Sequence, residues 1–241
     1  MMPAALDEAA APDGAVTDEA ALVGAGPPWT LRGAGLVAVF GARGVLMLVR
    51  YASSPVGPYD ELLWAEVRGS PVGARPTVTR IVVSTEASVV WGRRNWGIPK
   101  ELAAFQWSGA GLVGGPDGWR GEGGQVRVTG AGGEMLAHLG FRAGGPRLPV
   151  WTGVVPGAWR TLAQPDLMPE PDAAGPRGTL LTTVLTTVQA RGRVQAARLS
   201  AVQGAFHPAL MDSRPLLTLA APEFRMVFPV PRVVRADGRP A

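Results

Sequence analysis

The sequence predicts an α+β fold that is predominantly antiparallel β, a barrel or sandwich with few short helices. Three observations carry this expectation. From residue 27 onward the chain reads as short apolar runs, many rich in Val, Leu and Thr, at close spacing. Glycine and proline, 33 and 23 of the 241 residues, interrupt those runs too often for a helical bundle. No alternating strand–helix rhythm calls for a doubly wound parallel sheet.

In chain order, the expected strands are 36–40, 45–51, 61–68, 78–84, 102–107 and 125–129. They continue at 134–140, 150–155, 179–189, 193–203 and 222–230. The Thr/Val-rich run 179–189 and the alternating run 193–203 read as a long hairpin across 190–192. Gly-Ala-Arg-Gly at 41–44 and Gly-Pro-Asp-Gly at 115–118 are turn chemistry. Only 85–95 suits a helix of useful length, with Thr85 and Ser88 as a weak start signal. The stretch 165–178 reads as an internal loop. Residues 1–26 read as a flexible acidic tail, 27–234 as one domain and 235–241 as a C-terminal tail.

Composition excludes much chemistry. Without cysteine there is no disulfide framework, thiolate nucleophile or zinc–thiolate site. His138 and His207 stand apart with no HExxH between them, so no metal is expected, and each reads as an ordinary structural histidine. The first 26 residues hold five acids and no base, which leaves 23 bases against 14 acids in the remainder. That excess is scattered singly rather than gathered in a stripe, which argues against nucleic acid as a partner. No apolar stretch is long enough for a membrane helix, and the acidic N-terminus is unlike a signal peptide, so a cytoplasmic protein is expected.

Two glycine motifs fail on context. GAGLVG at 109–114 and GAGLVA at 33–38 match dinucleotide fingerprints, but neither leads into a helix, and both read as turns. No cofactor is expected. The eight tryptophans are scattered among the strands; Trp91 and Trp96 are the ones near a candidate site.

That site is marked by lysine arithmetic. Of 23 basic residues, 22 are Arg and one is Lys100. GC-rich coding produces such a ratio without selection at any position. Equally, a chain that uses Arg wherever Arg serves keeps Lys where a deprotonatable amine is required. Lys100 follows Trp91-Gly-Arg-Arg-Asn-Trp-Gly-Ile-Pro99, a helix end and a turn whose apolar members would desolvate the amine and lower its pKa. A second segment, Ser53-Ser-Pro-Val-Gly-Pro-Tyr-Asp-Glu61, delivers acids into a strand about 40 residues away. An exposed loop ion pair is the plain alternative. Glu101, next along a strand, should point away from the site.

SPVGPYDELL and GRRNWGIPKELAAF together resemble the acetoacetate decarboxylase-like superfamily, and PPWTLRG at 27–33 suits its bacterial members. The resemblance implies a mostly β cone- or barrel-like fold and a homo-oligomer. It also implies Lys100 as a Schiff-base nucleophile and Glu61 as a pocket carboxylate. The substrate would be a small keto acid, met by Tyr59, Trp96 and Ile98, with Arg93, Arg94 or Arg32 holding its carboxylate. Where the decarboxylase has a second lysine after the nucleophile, this chain has Glu101. The expected activity is decarboxylation of acetoacetate or a related β-keto acid. Aldol or dehydration chemistry on a 2-oxo acid, or non-catalytic binding of a small molecule, are the alternatives.

Overall fold

The computed structural model describes residues 24–109, 123–167 and 182–240. Nine strands close a barrel: β1 (Trp29–Val39), β2 (Val45–Ser53), β3 (Tyr59–Arg68), β4 (Arg75–Val83), β5 (Lys100–Ser108), β6 (Gly123–Gly130), β7 (Met135–Trp151), β10 (Gln189–Gln203) and β11 (Leu217–Phe228). Around the barrel the order is β1-β11-β10-β7-β6-β5-β4-β3-β2, and β2 returns to β1. β8 (Thr161–Pro165), β9 (Thr183–Thr187) and β12 (Arg232–Val234) form a separate three-stranded sheet. The fold is therefore the expected one, mostly strand with few helices.

Every barrel pair is antiparallel except β4 with β5. A parallel pair needs a crossover, and α1 (Glu86–Trp96) supplies it. Alternation along each strand separates two apolar clusters. One gathers Leu36, Leu48, Leu62, Trp64, Val82, Val128, Leu139 and other members from every barrel strand, so it fills the interior. The other lies on the opposite face of β1–β4 and β11 and is covered by Trp91 and Trp96 of α1. The small sheet is fastened to the barrel where the buried Gln164 amide pairs with the Val78 backbone. Two short helices, α2 (Gly157–Arg160) and α3 (Pro208–Asp212), complete the described residues.

Several expectations are corrected. Residues 183–187 and 193–203 are not partners in a hairpin: β9 belongs to the small sheet, while β10 runs straight through 190–192 between β7 and β11. Gly192 is not a turn residue; a Cβ there would meet the Glu223 carbonyl and come 2.9 Å from Phe224 Cα. Gly33, read as part of a turn, lies inside β1 for the same reason, with Tyr51 Cα 2.9 Å from its virtual Cβ. The expected strand at 150–155 ends at Trp151, as the last residue of the 17-residue β7, and a 3-10 turn follows at Thr152–Val154. β8, β12, α2 and α3 were not expected. The turn at 41–44 is present as a 3-10 turn over Gly41–Arg43. The motif at 109–114, the turn at 115–118 and most of the loop at 165–178 lie outside the described residues.

Candidate active site

α1 follows its sequence signals with one substitution of roles. Thr85 stands at the N-cap without a side-chain hydrogen bond, and Ser88 turns inward instead of capping. At the other end Gly97 adopts φ 62°, a conformation that favours glycine, and its N–H bonds the Arg93 carbonyl. A Cβ on Gly97 would also collide with the Pro165 carbonyl. Ile98 N–H then reaches the Gly92 carbonyl and Lys100 N–H the Ile98 carbonyl, so the chain turns tightly into β5. Arg93 Nε donates to the Lys100 carbonyl at 2.8 Å and fixes the strand start.

Strand register assembles the rest. Tyr51 of β2 faces Tyr59 of β3, Glu61 faces Val83 of β4, and Ile81 of β4 faces Lys100 of β5. Side chains on one face of neighbouring strands approach within a few ångströms. Lys100 and Glu61 are each 4% exposed and Ser88 is wholly buried. Lys100 Nζ donates to Glu61 Oε2 at 2.9 Å, to Ser88 Oγ at 2.9 Å and to Tyr59 OH at 3.4 Å. An ammonium has three donors, and all three are used. Tyr51 OH donates to the other Glu61 oxygen at 3.1 Å. The chain's single lysine and its only two tyrosines thus share one buried cluster.

The electrostatics correct one expectation. Burial acts to lower the Lys100 pKa, but the Glu61 carboxylate and then Tyr59 outweigh it, so the value lies above that of an ordinary lysine. The geometry pairs the amine with Glu61 at 2.9 Å, which favours its charged form over the free amine. Burial pushes Tyr59 up to about 12, against the pull of Lys100, and pushes Tyr51 well above its usual value, with Glu61 adding to the effect.

Of the residues singled out from sequence, Lys100, Glu61 and Tyr59 come into direct contact. Ile98 and Trp96 pack in the same apolar cluster, with the Trp96 indole donating to the Pro229 carbonyl. The three arginines do not touch the amine. Arg93 and Arg94 are exposed, the first engaged with the Lys100 carbonyl and the second over the Trp91 ring. Arg32 is exposed on β1, across the sheet from this cluster. Glu101 is exposed while Lys100 is buried, as strand alternation requires. Tyr51, Ser88 and Gly92 were missed. Only the rarity of tyrosine could have flagged Tyr51; Ser88 and Gly92 look like ordinary helix residues until α1 is laid over β5. Among the described residues no group of three His, Asp or Glu side chains could hold a metal, and no helix is long and apolar enough to cross a membrane.

Solved structures match this architecture closely. An acetoacetate decarboxylase-like enzyme from Sphingomonas wittichii superposes with a TM-score of 0.62 at 12% identity, covering 89% of this chain and 95% of that one. The acetoacetate decarboxylase of Legionella pneumophila gives 0.57 at 13% identity, covering 87% and 88%. This chain has the acetoacetate decarboxylase-like fold. The same fold carries the enduracididine biosynthesis enzyme MppR, solved with the condensation product of pyruvate and imidazole 4-carboxaldehyde. It matches with a TM-score of 0.57 and 14% identity over 95% of this chain and 99% of that one. No family model matches the sequence, and no curated protein does. Within the acetoacetate decarboxylase-like fold, the cluster around Lys100 lies between the outer face of β2–β5 and the crossover helix α1.

Proposed function

We propose that the protein is a Schiff-base-forming lyase acting on a small keto acid, with decarboxylation of acetoacetate or a related β-keto acid as the first reading. The observation that carries it is the sole lysine, buried with Nζ 2.9 Å from the Glu61 carboxylate. A buried ion pair is an expensive way to hold a fold together, because both charges lose their hydration. It is an apt way to store an amine beside its own base. Transfer of one proton from Lys100 to Glu61 leaves a neutral nucleophile and a neutral acid.

The amine adds to the ketone carbon, and the former carbonyl oxygen takes one proton from the amine nitrogen and one from solvent and leaves as water, giving an iminium. Electrons of the bond to the carboxylate flow into the iminium as CO2 departs, which forms an enamine. Glu61, now the acid, returns a proton to carbon, and water hydrolyses the iminium to release the ketone and the lysine. Tyr51 holds the second Glu61 oxygen and so keeps the carboxyl aimed at the amine. Ser88 and Tyr59 hold the amine itself.

A second reading, aldol or dehydration chemistry on a 2-oxo acid, draws on Glu101 standing where the decarboxylase has its second lysine, and on MppR with its pyruvate condensation product. Borohydride reduction tests both. The expected result is a substrate-dependent mass increment that maps to Lys100. Trapping with acetoacetate accompanied by CO2 release selects the first reading; trapping with pyruvate and aldehyde condensation without CO2 selects the second. No reduction with either acid overturns the Schiff-base reading and leaves a binding protein.

A further inference from the structure

On the face of the sheet turned away from Lys100, three arginines stand in one row. Arg32 of β1 is the direct partner of Arg225 of β11, and Arg225 is the direct partner of Arg191 of β10. The next row in the same register is Gly33, Phe224 and Gly192. Phe224 there meets Tyr51 edge-on at 6.0 Å, which assigns that row to the lysine's face. Successive residues on a strand point to opposite faces, so the arginine row faces away. The row lies at the end of the barrel where β1 begins and β11 finishes.

Like charges placed directly opposite on adjacent strands destabilise a sheet, and here two such pairs are joined. The described residues provide no relief. None of the three arginines has a carboxylate partner among them, and Glu223, the acid two positions along on the same face, is paired with Arg193 at 3.7 Å. Arg225 Nε is buried and has no hydrogen-bond partner among the described residues. A buried guanidinium N–H without an acceptor is costly, and native structures seldom tolerate it.

We propose that the Arg32–Arg225–Arg191 row binds a small, multiply charged oxyanion, a phosphate or a polycarboxylate, at the barrel end opposite in face to the lysine site. Guanidinium forks donate paired hydrogen bonds to oxyanion edges, and adjacent strands space three forks within reach of one anion. Such a ligand supplies the acceptor that Arg225 Nε lacks and removes the repulsion along the row.

The test is thermal denaturation and titration calorimetry with inorganic pyrophosphate and with citrate, each against sodium chloride of equal ionic strength. At least one of the two should raise the melting temperature above the chloride control. Its affinity should fall roughly tenfold or more in Arg225→Gln and in the exposed Arg191→Gln, the loss of a charge-assisted bond. Without ligand, Arg191→Gln should be no less stable than the parent, because repulsion is relieved. A response to pyrophosphate alone assigns the row to phosphate, and a response to citrate alone to polycarboxylate. No rise above chloride for either anion, or the same rise in Arg191→Gln, overturns the proposal.

Discussion

Gly92 of α1 lies directly over the Lys100 stem: a Cβ on Gly92 would sit 2.6 Å from Lys100 Cδ and 2.8 Å from Cε. With Ser88 one turn earlier, it forms the helix face that receives the lysine. Glycine inside a helix costs about 1 kcal/mol relative to alanine, so its presence here needs a reason, and the lysine stem provides one. Gly92→Ala should gain helix propensity yet push Nζ off Ser88 and Glu61. Borohydride trapping should slow at least tenfold while the melting temperature changes little. Trapping at the parent rate would mean that the cradle does not position the amine.

Lys100→Arg keeps the charge opposite Glu61 but cannot form an imine. Turnover and trapping should both vanish. The bulkier head among Ser88, Glu61 and Tyr59 should cost about 1–3 kcal/mol of stability, in the range of core overpacking. Residual substrate-dependent activity in a folded Lys100→Arg protein would end the Schiff-base mechanism.

Removing the Glu61 charge should reverse the balance at the amine. In Glu61→Gln, burial remains and the main opposing influence is gone, so Lys100 should titrate at lower pH than in the parent. Reductive methylation, followed at the single lysine, reads this directly. At the same time kcat should fall by roughly 10²–10⁴ through loss of the proton carrier. An unmoved methylation profile would mean that Glu61 does not set the lysine's protonation.

Alkaline titration should report on this one site. With no cysteine, one lysine and two tyrosines, and with arginine charged throughout, the side chains that titrate between about pH 9 and 12 are Lys100, Tyr51 and Tyr59. All three have raised values in the folded chain. A raised folded value gives stability that is complete below the unfolded value and is lost as pH rises through the folded one. Stability should therefore be flat up to about pH 10 and decline above it, toward the Tyr59 value of about 12. Absorbance at 295 nm should show no tyrosinate before unfolding. A tyrosine that ionises near pH 10 in the folded protein would contradict the burial of this cluster.

Glu101→Gln should leave the pH profile of kcat/KM unchanged, because the side chain is exposed on the far side of the strand from Lys100. An acid shift of the alkaline limb by a full unit would place the Glu101 charge at the amine.

Glycine and proline frequency and the short apolar runs made the β-rich class readable without coordinates. The sequence also marked Lys100, through a composition that uses arginine almost everywhere else. The Pro/Gly turn pointed to two acids entering a strand, Asp60 and Glu61, and the resemblance to the acetoacetate decarboxylase-like superfamily singled out Glu61. Local pattern failed wherever glycine served packing rather than turning: Gly192 and Gly33 were read as breaks but sit within strands because a neighbouring backbone passes too close for a Cβ. Tertiary structure decided which strands became neighbours, and with that the site's chemistry. Sequence suggested an amine made neutral by apolar walls. The register of β3, β4 and β5 set a carboxylate 2.9 Å from it, and the charge and hydrogen-bond contributions of Glu61 and Tyr59 together outweigh the desolvation of the ammonium. The register of β1, β11 and β10 aligned Arg32, Arg225 and Arg191, which stand some 30 to 190 positions apart and which no reading of consecutive residues could have joined.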